Sequence, residues 1–117
     1  MATVLVIEDD PTTRQIIRVI IEDRGHEVWE AANGVDGMML ARLLLPDLVV
    51  TDIVMPDKDG LETIMDLHET FWGAKVIALS AHSDKLEQAL RLGALAVFRK
   101  PFPPQELGEA VQEALQA

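Results

Sequence analysis

Glu8, Asp9 and Asp10 stand together at the end of the first apolar run of the chain, Thr51-Asp52 at the end of another, and Ser80 and Lys100-Pro101 at the ends of two more. Carboxylates gathered in one crevice repel one another, so either their protons stay on or a cation compensates. Oxygen donors without His or Cys suit a hard divalent ion. Mg2+, or Mn2+ in its place, is typically held by one or two carboxylates together with waters and phosphate oxygens. Lys100 adds a positive point charge and Ser80 a hydroxyl donor. Carboxylate, divalent cation, ammonium and hydroxyl are together what a transferring phosphoryl group needs to neutralise its oxygens. Asp52 would then be the nucleophile, forming an aspartyl phosphate. Glu8-Asp9-Asp10 alone reads as ordinary loop solvation. The matching positions of Asp52, Ser80 and Lys100 make it a candidate site.

For these residues to meet, the ends of the four apolar runs must lie on one edge of the molecule. The runs, Val4 to Ile7, Leu48 to Val50, Val76 to Leu79 and Ala96 to Phe98, are strand length and bulky and lack polar alternation. Strands of a parallel sheet covered on both faces look like this. His26 to Ala31 carries polar residues between apolar ones, which predicts a less covered strand at an edge.

Helical periodicity fills the gaps. Thr12 to Arg24 places Ile16, Ile17, Ile20 and Ile21 on one face and stops at Gly25. Val35 to Leu45 enters through Asn33-Gly34, presents Val35, Met38, Met39 and Leu43, and ends before Pro46. Leu61, Ile64, Met65 and His68 mark a third helix closed by Gly73. Leu86, Ala89 and Leu90 mark a fourth, capped by Ser83 or Asp84 and followed by Gly93. Pro103-Pro104 opens the last, with Leu107, Val111, Ala114 and Leu115 as its buried stripe and Gly108 as a weak point.

Strand then helix, five times over, predicts an α/β doubly wound fold with a parallel sheet and helices on both faces. With the second strand at the edge, the spatial order 2-1-3-4-5 of flavodoxin-like sheets fits best. Ligands of such sheets bind beyond the carboxyl ends of the strands, where the strand order reverses. Strands 1 and 3 become neighbours there, and Glu8 and Asp9 approach Asp52.

Composition narrows the chemistry further. The 117 residues include 20 acidic and 10 basic side chains, three His and no Cys, for a net charge of −10. Thiolate catalysis, zinc-thiolate sites, iron-sulfur clusters and disulfides are excluded. The acidic excess argues against direct nucleic-acid binding, which depends on Lys and Arg neutralising phosphates. Glu8-Asp9-Asp10 ends the first apolar run far short of the ~18 residues that span a bilayer, so no membrane association and a soluble, cytoplasmic protein are expected. Neither GxGxxG nor GxxxxGK[ST] occurs. Apolar residues make up 49% of the chain, enough to fill the core of one domain over residues 1–117.

Four motifs occur in order: VLVIEDDP (4–11), PDLVVTDIVMPDKDG (46–60), ALSA (78–81) and GALAVFRKPF (93–102). Through them the chain resembles, over essentially its whole length, the receiver domain of two-component response regulators. That resemblance implies that Asp52 takes a phosphoryl group from a phosphohistidine on a sensor histidine kinase or a histidine phosphotransfer protein. It implies Asp9 as a direct Mg2+ ligand, Glu8 as holder of a metal-bound water, and Asp52 with the backbone carbonyl of Val54 as the remaining protein ligands. Ser80 would contact a phosphoryl oxygen and Lys100 would pair with it, next to a cis Lys100–Pro101 bond. In the family, phosphorylation draws the hydroxyl residue inward and repacks the face of the fourth helix, fifth strand and fifth helix, where members dimerise or dock an output partner.

The chain departs from the family pattern at two places. Val97 stands where the family has its switch aromatic, three residues before the lysine. Val54 and His82 flank the entrance where a carboxylate or amide could be expected. Apolar Val54 should hinder an attacking water, whereas His82 either orients one or caps the fourth helix. Two rivals follow. An aspartate-nucleophile phosphatase commonly has an acid two residues after the nucleophile, and here that residue is Val54. An interaction module acting without phosphorylation is supported by Val97 and opposed by the intact acid, hydroxyl and lysine set.

The remaining polar and sulfur-bearing residues have plainer expected roles. Asp10 suits a helix N-terminus, and Asp57 and Asp59 suit the loop before Gly60. His26 and His68 lack a ligand partner at i+3 or i+4 and read as surface or helix-face residues. Met38, Met39 and Met65 read as core filler, and Phe71-Trp72 as local packing. Lys85, Glu87, Arg91, Arg99 and Glu109 give the fourth-helix to fifth-helix face a mixed, solvated charge.

Overall fold

The computed structural model describes residues 1–55, 59–71 and 73–117. Strands β1 (Thr3–Ile7), β2 (Glu27–Ala31), β3 (Leu48–Asp52), β4 (Val76–Ser80) and β5 (Ala96–Arg99) alternate with helices α1 (Pro11–Glu22), α2 (Gly34–Leu44), α3 (Gly60–Thr70), α4 (Ser83–Arg91) and α5 (Pro104–Gln116). The strands form one parallel sheet in the order β2-β1-β3-β4-β5. The sheet is the expected doubly wound one, with β2 at its edge.

Period-two alternation divides the apolar strand residues between two cores. Leu5, Ile7, Ala31, Val49 and Ala78 face Met38 and Ala41 of α2, Ile64 and Leu67 of α3, and Leu86 and Ala89 of α4. Val4, Val6, Val28, Leu48, Val50, Ile77 and Leu79 face Ile17 and Ile21 of α1 and Leu107, Val111 and Ala114 of α5. Each strand in the middle of the sheet is therefore buried on both faces, which is why its sequence does not alternate.

Helix boundaries follow local chemistry. Asp10 caps α1, its carboxylate accepting from the Thr13 backbone N–H at 2.9 Å and from the Thr13 hydroxyl, and these bonds hold it below its ordinary range. Asn33 caps α2 through the Asp36 N–H, and Asp59 caps α3 through the Glu62 N–H. In the fourth helix the N-cap is His82, one of the expected alternatives, and neither Ser83 nor Asp84; its own side chain makes no capping hydrogen bond. The third helix stops at Thr70 with Phe71 as its C-cap, and Gly73 takes its positive φ two residues beyond.

Several expected core positions face solvent instead. On α2, Val35, Met39 and Leu43 are 52%, 56% and 78% exposed, while Gly34, Gly37, Met38 and Ala41 turn inward. The face turned to the sheet carries mostly small residues beside Met38, and α2 lies close enough there that a Cβ on Gly37 would meet the Ile7 side chain. Ile16 of α1, Met65 of α3 and Leu90 of α4 are likewise exposed, so only Met38 of the methionines expected in the core is buried there.

His26 and His68 take structural contacts. His26 accepts from the Ala2 N–H at 3.2 Å through Nδ1 and meets Gln112 Oε1 at 3.0 Å through Nε2, while His68 Nε2 lies 3.1 Å from the Ala74 carbonyl. Phe71 packs against the α2–α3–α4 core. Asp57 and Trp72 lie outside the described residues.

Candidate functional site

Four of the candidate residues stand at or just beyond strand ends on one edge of the sheet. Glu8 follows β1, Asp52 ends β3, Ser80 ends β4 and Lys100 follows β5. Glu8 is only 1% exposed although it is an acid, and each of its polar groups is engaged. Its N–H donates to the Ala31 carbonyl at 3.0 Å, its Oε2 accepts from the Asp10 N–H at 3.2 Å, and its Oε1 lies 2.5 Å from Lys100 Nζ.

Asp52 is buried beside it. Its Oδ1 accepts from the Ile53 N–H at 2.9 Å, and its Oδ2 lies 3.2 Å from Lys100 Nζ. Lys100 thus bridges the two carboxylates from β5, the far edge of the sheet. The Lys100–Pro101 bond is cis, and the Lys100 N–H donates to the Ser80 carbonyl at 2.9 Å. Burial pulls the Lys100 ammonium down, but Glu8 and Asp52 outweigh it and hold the pKa above its ordinary value.

Asp9 is exposed, with a carboxylate oxygen in reach of the other two. One oxygen from each of Glu8, Asp9 and Asp52 lies within 4.8 Å of the others. The donor set fits Mg2+: it is all carboxylate, with neither imidazole nor thiolate, and one buried acid is held against its own desolvation. Burial, more than any other cause, pushes the Glu8 carboxyl up to about 7, with Lys100 opposing and the Asp52 charge adding to the rise.

A carboxyl whose folded pKa exceeds its unfolded value binds more protons folded than unfolded between the two, so its contribution to stability is lost as pH rises. The metal-free protein is therefore expected to lose stability as pH climbs from 4.5 through about 7. Mg2+ needs the ionised carboxylate, so its affinity should rise over the same interval. Thermal melts at pH about 5 and about 8, with and without Mg2+, check both. Mg2+ should raise the midpoint more at the higher pH, and an equal gain at both would contradict the assignment of Glu8.

Around this cluster sits the rest of the expected set. Ser80 is fully buried on the side of Asp52 away from Glu8, since β4 pairs with β3 opposite β1. Its Oγ accepts from the His82 N–H at 3.0 Å, which leaves the hydroxyl proton to donate elsewhere. Val54 is exposed just beyond β3, and His82 is exposed at the start of α4. Val97 is not part of the cluster. It pairs with Ala78 and packs, half-buried, against the α2–α3–α4 core.

Three residues support the site without having been assigned a part in it from the sequence. Thr51 donates its hydroxyl to the Asp52 carbonyl at 2.9 Å. Gly60 donates its N–H to the Ile53 carbonyl at 2.6 Å, and a Cβ there would strike the backbone of Asp52 and Ile53. Arg14 donates to the Glu8 carbonyl at 2.8 Å. Only Gly60 had a visible signal, a glycine closing a loop that begins at a candidate site residue. Cavity size does not mark the site either: a groove of about 570 Å³ lies at the opposite end of the sheet, lined by His26, Asp47 and Lys75 among others.

Comparison with known proteins points to one family. Residues 4–112 match the family model of the response regulator receiver domain. The chemotaxis protein CheY of Halobacterium salinarum is 33% identical, with 97% of this chain and 97% of that protein covered. The KDP operon transcriptional regulatory protein KdpE of Escherichia coli is 38% identical over 98% of this chain and 52% of its own length. The chain spans about half the length of several of the curated relatives it matches. Among solved structures, a response regulator receiver domain protein from Clostridium thermocellum superposes with a TM-score of 0.93 at 30% identity, covering 99% of this chain and 95% of that one. Chemotaxis protein CheY4 of Vibrio cholerae superposes with a TM-score of 0.89 at 26% identity, covering 97% and 98%.

Proposed function

This chain belongs to the response regulator receiver family, a signalling family and not one of metabolic enzymes, and we propose that residues 1–117 act as one receiver domain in which Asp52 accepts a phosphoryl group from a phosphohistidine. The donor is a sensor histidine kinase or a histidine phosphotransfer protein. The observation that carries this reading is the position of Lys100 Nζ between two buried carboxylates, 2.5 Å from Glu8 and 3.2 Å from Asp52. A structural ion pair needs one acid. The second acid, with Asp9 beside it, makes a site with more negative charge than Lys100 alone can balance.

In the transfer, a carboxylate oxygen of Asp52 forms a bond to phosphorus while the P–N bond to the donor imidazole breaks, the nitrogen keeping the electron pair. Lys100 turns its ammonium to a phosphoryl oxygen, and the free hydroxyl proton of Ser80 is donated to another. Glu8, Asp9, Asp52 and the backbone carbonyl of Val54 would hold Mg2+, which when bound supplies positive charge against the phosphoryl oxygens. Val54 is exposed just beyond β3 and His82 is the N-cap of α4; on this reading apolar Val54 hinders an attacking water. The output partner, or a second copy of the chain, docks on the face made by α4, β5 and α5.

Val97 favours a second reading, a receiver-like module that acts without phosphorylation, because a valine cannot rotate as a ring does. One experiment separates the two. Incubation with acetyl phosphate and Mg2+, followed by intact mass and adduct mapping, should give a single acid-labile phosphoryl group on Asp52 that is absent without Mg2+. No adduct from either acetyl phosphate or a cognate kinase would support the unphosphorylated module.

A further inference from the structure

Glu8 owes its place to more than the end of β1. Its N–H donates to Ala31 of β2, and its carbonyl accepts 2.8 Å from Arg14 Nη1. Arg14 stands on the second turn of α1, its side chain only 23% exposed, and its Nε lies 3.3 Å from Glu30 Oε1. Glu30 belongs to β2 as well, and its other oxygen pairs with Arg18 Nη1 at 2.5 Å. Arg18 in turn holds Glu22 at 3.1 Å. The residue of β2 next to Ala31 thus anchors, through Arg14, the carbonyl of the residue that Ala31 anchors by its N–H.

A guanidinium spends its directional donors best on oxygens in a fixed fork, and a charged donor to a carbonyl is stronger than a neutral one. The Arg14 bond holds the peptide between Glu8 and Asp9, and so sets where both carboxylates leave the backbone. We infer that Arg14, seated by Glu30, is a positioning residue that fixes the Glu8–Asp9 peptide so that the acidic cluster is preformed for a divalent cation. The inference rests on the phosphoacceptor reading for its consequence in catalysis, and on the geometry of the metal-free chain for its substance. Arg14 acts through the Glu8 carbonyl and is not one of the candidate cation ligands.

The test compares wild type with Arg14→Ala, Arg14→Lys, Glu30→Gln and Arg18→Ala. Arg18→Ala removes ion pairs from the same helix but leaves the Arg14 bond to Glu8, so it controls for lost helix stability. Mg2+ affinity is read by calorimetry at fixed pH, and the Glu8 carbonyl by its carbon-13 shift in metal-free protein. Arg14→Ala should weaken Mg2+ binding about 10-fold, as loss of an outer partner of a ligand commonly does, and move the Glu8 carbonyl shift. Arg14→Lys should recover part of both, Glu30→Gln should fall between, and Arg18→Ala should stay within about twofold of wild type.

If wild type binds Mg2+ and accepts phosphate while Arg14→Ala binds Mg2+ equally well, the inference is overturned and the phosphoacceptor reading stands. An Arg18→Ala loss as large as that of Arg14→Ala also overturns it, because the effect would then belong to the helix. If wild type itself binds no Mg2+, both fall.

Discussion

Asp52→Asn is expected to abolish phosphoryl uptake from acetyl phosphate and to leave the fold nearly as stable as before. The first half follows from chemistry, since an amide oxygen in place of the carboxylate is too poor a nucleophile to form the acyl phosphate. The second follows from the site's electrostatics. Asn keeps an oxygen for the Ile53 N–H that Asp52 Oδ1 now accepts at 2.9 Å. It gives up the attraction of Lys100 but also removes the charge that helps push Glu8 up. These two changes oppose each other, so the net effect should be under about 1.5 kcal/mol.

The Glu8 carboxyl should also move down in this variant, since one of the causes raising it is gone, though burial, the largest, remains. Intact mass and thermal melting on the same samples make the check. A phosphoryl adduct on folded Asp52→Asn would place the acceptor elsewhere.

Gly60→Ala should damage both fold and site, for a reason confined to a few atoms. Its Cβ would fall on the Asp52 carbonyl oxygen and the Ile53 Cα, and backbone cannot rotate away as a side chain can. Either α3 retreats, breaking the bond from the Gly60 N–H to the Ile53 carbonyl, or the end of β3 shifts with Asp52 on it. Overpacking of this kind costs about 3 kcal/mol, which for a domain of this size lowers the melting midpoint by about 10 °C.

Gly37→Ala is the comparison that isolates the cause. Its Cβ would also meet a close neighbour, but that neighbour is the Ile7 side chain. Ile7 can adjust, and alanine favours the helix interior by about 1 kcal/mol over glycine, so the net loss should be small. Phosphoryl uptake should drop in Gly60→Ala and persist in Gly37→Ala. Equal losses in the two would mean that contact with β3 backbone has no special consequence.

The strand-helix alternation was readable because it is a local pattern. Unbroken apolar runs such as Val76 to Leu79 fit strands covered on both faces, and the mixed run at Glu27 to Ala31 fits an edge. Given that alternation, the placement of Glu8, Asp52, Ser80 and Lys100 on one edge follows from strand direction in a parallel sheet. The helix faces were less legible. Val35, Met39 and Leu43 form a regular apolar stripe, yet α2 turns Gly34, Gly37, Met38 and Ala41 to the sheet and leaves that stripe exposed.

What the sequence alone determined is the order of elements and the chemical types at their ends, since both depend on residues near one another in the chain. Tertiary structure decided the rest. That Lys100 would sit between Glu8 and Asp52, that burial would lift the Glu8 carboxyl to about 7, and that Arg14 would reach the Glu8 carbonyl all depend on distances across separate elements. Those distances are set by how two layers of helices settle on a sheet. Desolvation and hydrogen bonding change steeply over an ångström, and spacing along a chain does not carry that precision.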